Sequence, residues 1–482
     1  MSEYQGVYQT VIGVEVHIEL ATKTKIFCSC STAFGAPPNT QVCPTCLGMP
    51  GTLPILNCQA VHLATMVGMA LNCEIAKVSR FDRKNYFYPD NPQNYQISQW
   101  YAPLCVNGWI YLPRADKRVG IFNIHLEEDA GKLIHDEEKD LTYVDHNRAG
   151  VPLIEIVSKP EMEDAQEVIE FLETLKDFVG YLEASDCKLQ EGSMRVDVNL
   201  SVRRKGEKKL GTRTEMKNLN SFHAIIRAIE AEEARQIAIL EAGGSVSQET
   251  RRWDEGKGES YLMRSKEDAM DYRYFPDPDL PPVVLDEGWM EFHQRRLPEF
   301  RREKKKRYQK EFGLSEYDAG IMTQSIHLAR LFEKTVALGS PAKKVSNWLM
   351  GEGLRILRER EMDPDELAIT PEHFRTPLRL NEEKKLSNAV AKMLFEEAAL
   401  HDLDPEKAAM ERGLFTVCDE DALKTVVEEV LAGNPKSVED YLGGKEKVLG
   451  FLVGQTMKAM KGQADPATVT ALLKEFLDPN SP

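Results

Sequence analysis

The sequence predicts an α+β chain in which a large, mixed but mainly antiparallel sheet domain is followed by all-α sequence. Three observations predict it. Apolar and polar residues alternate with period two in many short stretches over about the first 290 residues, Gly, Pro and Asn punctuate those stretches, and the apolar period becomes helical from Trp289 onward.

The first stretch, VIGVEVHIEL, puts Ile12, Val14, Val16, Ile18 and Leu20 on one face and Glu15, His17 and Glu19 on the other. A solvated polar face accounts for that alternation, and so does a row of groups held for chemistry. Next, CSC and CPTC bring Cys28, Cys30, Cys43 and Cys46 into two chelating pairs around the loop STAFGAPPNTQV. Four thiolates at tetrahedral geometry make a closed structural Zn²⁺ site, which stabilises a loop with little core of its own and leaves no open position for substrate; reduced free cysteines are the alternative. Helical spacing follows over residues 60–71. FDRKNYFYPDNPQNYQISQ then offers Arg83 and Lys84 as phosphate ligands.

NIHLEEDAGK crowds His125, Glu127, Glu128 and Asp129 into five residues, a repulsion most simply relieved by a divalent cation, although a solvated acidic turn would also tolerate it. In VPLIEIV, Glu155 is flanked by apolar residues on both faces, so its carboxylate is expected to meet a cation or be protonated; an unpaired buried charge costs on the order of several kcal/mol. Mg²⁺ takes one or two carboxylates directly and completes its shell with phosphate oxygens, which makes Glu15, His17, Glu128 and Glu155 candidate direct or water-mediated ligands of a Mg-ATP site. A helix is expected over 165–182. EGSMRVDVNLSVRR then carries Arg195 with Asp197 and Asn199 on one polar face, and GTRTEMKNLNSF carries Arg213, Glu215 and Lys217. Charged strands of opposite sign are what an ATP site without a glycine loop requires, because phosphoryl transfer depends mainly on positioning and electrostatic stabilisation. A long helix over 222–240 stops at Gly243 and Gly244.

PDPDLPP is extended, and a boundary is expected near residue 293. A helical domain over 294–405 opens with the basic run Arg301, Arg302, Lys304, Lys305, Lys306 and Arg307, most simply a solvated helix face. A compact all-α tail occupies 406–482.

The function classes left open are narrow. Lys and Arg number 61 against 77 Asp and Glu, a net charge of −16 that argues against broad, sequence-blind nucleic-acid binding, so RNA contact must use local basic patches. The polar start and the absence of an apolar run near the roughly 20 residues of a bilayer span make the cytoplasm the expected compartment and exclude a membrane role. Nine cysteines, four of them clustered, suit a reducing compartment with one metal knuckle. No P-loop, Rossmann fingerprint, GxSxG, HExxH or kinase signature occurs. No glutaminase nucleophile is recognisable either, so any amide nitrogen must come from elsewhere.

VIGVEVHIEL, the Cys knuckle with LGMPGTLP, FDRKNYFYPDNPQNYQISQ, HLEEDAGK, DHNRAGVPLIEIVSKP, EGSMRVDVNLSVR, GTRTEMKNLNSF, DYRYFPDPDLPP and GFLVGQTMKAMKGQADP together resemble, in order and over essentially the whole chain, the B subunits of glutamyl/aspartyl-tRNA amidotransferases. The resemblance implies a cradle domain over 1–293, a helical domain and a tRNA-recognising tail, with family metal positions at Glu15, His17, Glu128 and Glu155 and Glu127 adjacent. It implies a heterotrimer with an amidase-type A subunit and a small C subunit, misacylated tRNA as substrate, ATP and Mg²⁺ as requirements, and compatibility with a non-discriminating aminoacyl-tRNA synthetase. It also implies the chemistry: ATP phosphorylates the side-chain carboxylate of Glu-tRNA(Gln) or Asp-tRNA(Asn), and ammonia displaces the phosphate. Tail residues Lys458 and Lys461 are the RNA-contact candidates. Two rivals remain: a non-catalytic zinc-ribbon RNA-binding or assembly protein, and a free-standing ligase acting on a small amino acid.

Overall fold

A computed structural model describes all residues except 1–5, 137, 266–270, 417–419, 446, 461–463, 465 and 478–482. It divides into two compact units, Met1–Phe300 and Arg301–Pro482.

The first unit is built on strands β1 (Tyr8–Glu19), β2 (Glu74–Ile75), β3 (Val78–Ser79), β4 (Asp82–Asn85), β5 (Tyr95–Ser98), β6 (Cys105–Leu112), β7 (Lys117–Glu128) and β8 (Lys132–Asp136). They are followed by β9 (Leu141–Asp145), β10 (Pro152–Ser158), β11 (Met194–Arg204), β12 (Thr214–Lys217), β13 (Glu249–Asp254), β14 (Glu259–Ser265), β15 (Phe275–Pro276) and β16 (Val283–Val284). Nine of them form one sheet in the order β14-β13-β12-β11-β1-β10-β7-β6-β2. Every pairing is antiparallel except β12 with β13, where a helix returns the chain in the same direction. The period-two pattern of the sequence is the cause of the two-sided sheet. Ile12, Val14, Val16 and Ile18 of β1 are at most 1% exposed, as are Ile124, Leu126, Ile154 and Ile156 of its neighbours, and all lie in one apolar cluster.

Three helices contribute to that cluster, α1 (Cys58–Ala70), α2 (Ala165–Tyr181) and α3 (Phe222–Glu241), close to the expected spans. Each start is fixed by a side-chain cap, Asn57, Asp164 and Ser221, an interaction worth about 1 kcal/mol apiece. Helix α3 stops where Gly243 takes a left-handed φ of 75° and the Gly244 amide bonds back to Ile239 O. PDPDLPP, expected to be extended, instead turns over residues 278–280 between β15, which ends on its Pro276, and β16, because the Asp277 side chain accepts from the Asp279 amide at 2.7 Å. Helix α4 (Glu287–Gln294) belongs to the first unit, because the fully buried His293 meets His62 of α1.

The second unit is helical. Its first helix, α5 (Arg301–Phe312), carries the basic run, three of whose cations meet nearby acids: Lys304 and Arg307 both reach Glu333, and Lys305 reaches Glu316. Tyr308, Phe332, Phe374 and Phe395 centre one core, and Leu423, Val427, Leu452, Val469 and Leu473 centre another near the chain's end. Among the described residues no helix is long and apolar enough to cross a membrane.

Candidate active site

The functional side chains lie on the sheet face opposite the helices, and strand register decides which of them meet. His17 of β1 pairs with Glu155 of β10, which pairs with His125 of β7; on the other side His17 pairs with Arg195 and Glu15 with Asp197 of β11. Directly opposed residues project to the same face, so these pairs assemble a polar strip several strands wide on that face.

The strip holds two clusters, each with ligand atoms within 4.8 Å of one another: His17, Glu127 and Glu155, and Glu15, Asp197 and Glu215. In the first, His17 Nε2 is 3.6 Å from Glu127 and 3.5 Å from Glu155, and His125 Nε2 is 3.2 Å from Glu155. Burial alone would lower the imidazole of His125, but Glu155 and Glu127 outweigh it and push it up to about 10. Reciprocally, burial would raise Glu155, while His125 and His17 hold it well below the usual carboxylate range. Ser98 donates to Glu127 at 3.2 Å.

The second cluster consists of oxygen ligands. Burial, then the charge of Glu155, raises the Glu15 carboxyl, opposed by the Asn199 amide that donates to it at 2.9 Å. Lys217 donates to Asp197 and lies 2.9 Å from Glu215, and Thr250 donates to Glu215 at 2.7 Å. The Asn199 Oδ1 atom is buried and unpartnered beside these three carboxylates. An excess of acid and an orphaned carbonyl oxygen supply the hard oxygen donors that a divalent cation takes, and the Lys217 ammonium offsets only part of the acid's charge, so the donor set fits Mg²⁺.

Other expected residues lie elsewhere. Glu128 does not join Glu15, His17 and Glu155; alternation along β7 turns it to the opposite face with Leu126. There it accepts from the Ile97 amide at 2.9 Å, and burial pushes its carboxyl up to about 8. It lines a cavity of about 220 Å³ with Lys25, Cys46, Met49 and Tyr95. Arg83 is committed to Asp277 at 2.8 Å and Asp279 at 2.7 Å. Lys84 sits 5.0 Å from the Tyr272 ring centre and contributes to lowering the Glu127 carboxyl. Arg195 makes a two-pronged pair with Asp129, which Arg148 also approaches at 3.4 Å. Arg213 is exposed ahead of β12, outside both clusters. Lys458 is exposed in the second unit, and Lys461 lies outside the described residues.

Glu215 and His125, named in the sequence only as members of charged runs and not as ligands, gain specific partners in the structure. The signal for Glu215, alternation with the buried Thr214 and Met216, is only four residues long. His125 follows from its two-residue offset to Glu127 on the same strand.

Cys28, Cys30, Cys43 and Cys46 form a third cluster within the same 4.8 Å. Hydrogen bonding from Cys28 pulls the Cys46 thiol down to about 4 against its burial, helped by the Cys43 backbone and Lys25. Lys25 is fully buried with its ammonium 3.5 Å from Cys46 Sγ, and the Cys43 amide donates to the same sulfur at 3.2 Å. A buried cation beside convergent thiols fits the negative charge of a zinc tetrathiolate.

Comparison with known proteins agrees with this layout. Residues 10–291 match the family model described as the GatB/GatE catalytic domain, and residues 330–477 match the GatB domain. Curated relatives include the B subunit of the aspartyl/glutamyl-tRNA(Asn/Gln) amidotransferase of Agathobacter rectalis, 57% identical over 98% of this chain and 99% of the relative. The proteins of the same name from Lachnospira eligens and Caldicellulosiruptor bescii are 56% and 54% identical over the same shares.

Proposed function

The chain belongs to the family of amidotransferase B subunits, and from that premise we propose that it activates the side-chain carboxylate of a misacylated tRNA, Glu-tRNA(Gln), Asp-tRNA(Asn) or both, with ATP, for amidation by ammonia from a partner amidase. The observation that carries this reading is the convergence of His17, Glu127 and Glu155 with Glu15, Asp197 and Glu215 on one face of the central sheet.

The chemical need is a leaving group. A carboxylate does not expel oxide when ammonia attacks; once one of its oxygens has bonded to the γ-phosphorus of ATP, with ADP leaving, the acyl carbon can lose phosphate instead. Mg²⁺ held by the two acidic clusters would neutralise and orient the phosphates. The chain's own residues do the rest. Lys84, over the Tyr272 ring, is the point charge for phosphate oxygens, while Lys217, paired with Asp197 and Glu215, offsets part of the second cluster's charge. The Arg195–Asp129 pair ties β11 to the end of β7 and so fixes the spacing of the clusters. His17 and His125, carrying protons between carboxylates, hold the strip together when no metal is bound. The four cysteines hold structural zinc, and Lys458 belongs to the tRNA-contacting tail. The setting is a cytoplasmic heterotrimer with an amidase-type A subunit and a small C subunit.

The test uses the reconstituted complex with ammonium chloride as nitrogen donor, which bypasses the glutaminase. Glu155→Gln and Glu15→Ala are each expected to lower amidation at least about 100-fold, given the size of electrostatic contributions in phosphoryl transfer, with tRNA binding retained. Retained amidation in both variants would instead support a non-catalytic RNA-binding or assembly role.

A further inference from the structure

Next to the acidic strip lies an aromatic assembly that the chemistry above does not use. The Trp100 ring stacks on Tyr274 with centroids 4.8 Å apart and planes 13° from parallel. Trp100 is nevertheless 62% exposed, so with Tyr274 against one face it offers its other face to solvent. Tyr272 meets Tyr274 edge-on at 6.0 Å, and Lys84 lies over Tyr272.

The platform is built rather than incidental. Its halves come from segments more than 170 residues apart and are pinned to each other: the Tyr101 hydroxyl donates to Tyr274 O at 3.2 Å. The buried carboxylate of Asp82 accepts from the backbone amides of both Trp100 and Tyr101, at 2.8 and 3.0 Å. On the other side, Asn85 holds Tyr272 O and Arg273 O. Between the two tyrosines Arg273 adopts a left-handed φ of 45°, a strained conformation for so large a side chain, and the fixed neighbours maintain it. The platform also adjoins the reaction centre. Ser98, two residues before Trp100, donates to Glu127 at 3.2 Å, and the Leu126 amide donates to the Gln99 side chain at 3.0 Å.

We infer that Trp100, backed by Tyr274, is the stacking platform for the unpaired 3′-terminal base of the acylated tRNA. This rests on the proposed function, because the amino acid whose carboxylate reacts is esterified to that same terminal ribose. Its base must therefore lie within the reach of one aminoacyl-nucleoside from the acidic strip, which the platform adjoins. The adenine of ATP has a similar reach to the reacting phosphorus, but a ring open to solvent and flanked by Lys84 and the exposed Arg273 suits the end of a strand that carries further backbone phosphates. A π-face reads any base, and Lys84 with the exposed Arg273 supplies cations for the adjoining backbone phosphate, as in single-strand sites built from aromatic rings and basic residues.

Equilibrium binding to the reconstituted complex tests this without turnover, using a tRNA(Gln) transcript and the same transcript trimmed of its 3′-terminal nucleotide. Trimming should weaken binding to the unaltered complex by about tenfold, the usual size of one base stack. Trp100→Ala should bind the trimmed transcript as the unaltered complex does, which certifies its fold, and should no longer distinguish the two RNAs; Trp100→Phe should keep most of the discrimination. Equal discrimination by Trp100→Ala and the unaltered complex would overturn the inference. So would weakened ATP binding in Trp100→Ala with tRNA discrimination intact, since that would make the platform an ATP subsite. Failure of the amidotransferase reading looks different: the unaltered complex would then not turn over ATP in response to misacylated tRNA, whatever the trimmed transcript does.

Discussion

Glu127 and Glu128 are sequence neighbours with opposite fates. One meets His17 and Glu155 on the polar face; the other is buried on the apolar side of β7, with the Ile97 amide as a hydrogen-bond donor. Burial raises the Glu128 carboxyl from an ordinary 4.5 to about 8. Between those two pH values the folded chain keeps a proton that the unfolded chain has released. Stability is therefore fully present below pH 4.5 and falls as pH rises through 8, by an amount on the order of several kcal/mol. Glu128→Gln, neutral at every pH, should melt higher than the unaltered chain at pH 8.5 and lose most of that advantage below pH 5. Parallel melting curves across this range would show that Glu128 is not held neutral. The parity separating the two acids was legible in the sequence, since Ile124, Leu126 and Glu128 alternate with His125 and Glu127. The family resemblance pointed to Glu128 for the polar face, where strand alternation puts Glu127. The commitment of Arg83 could not be read at all, because its partners Asp277 and Asp279 are nearly 200 residues away.

At the scale of elements, the three helices and the alternating strands follow from local pattern and caps. Their pairing does not. Nothing local dictates that His17 faces Glu155 and that Glu155 faces His125, because register is a long-range property set by burying one whole face. The cysteine knuckle is the opposite case, an element whose ligand spacing reads directly from the chain. Its loop contributes little to the main apolar cluster, so Cys46→Ser should abolish zinc, expected at one per chain by elemental analysis, while far-ultraviolet circular dichroism stays near that of the unaltered protein. A zinc-free unaltered chain would remove the metal from the account. Ser221→Ala should cost about 1 kcal/mol in chemical unfolding, because the α3 start would lose the acceptor for the Ala224 amide.

The whole molecule combines a net charge of −16 with acids gathered on one sheet face, an arrangement that repels nucleic acid and triphosphate alike until cations are supplied. The imidazoles of His17 and His125 are raised by their carboxylate neighbours, against the effect of burial. A divalent ion taking over those carboxylates should therefore expel protons. Calorimetric titration with Mn²⁺ near pH 7, in two buffers of different ionisation enthalpy, should report proton release that disappears in Glu155→Gln; release unchanged in that variant would place the ion elsewhere.

The central claim is that the reacting carboxylate passes one oxygen to phosphate. Glutamyl-tRNA labelled with ¹⁸O in its side-chain carboxylate, incubated with the reconstituted complex, ATP and ammonium, should yield inorganic phosphate carrying one labelled oxygen for each amide formed, by mass spectrometry. Amide formation with unlabelled phosphate would mean that the carboxylate is not phosphorylated, and the acidic strip would need another purpose.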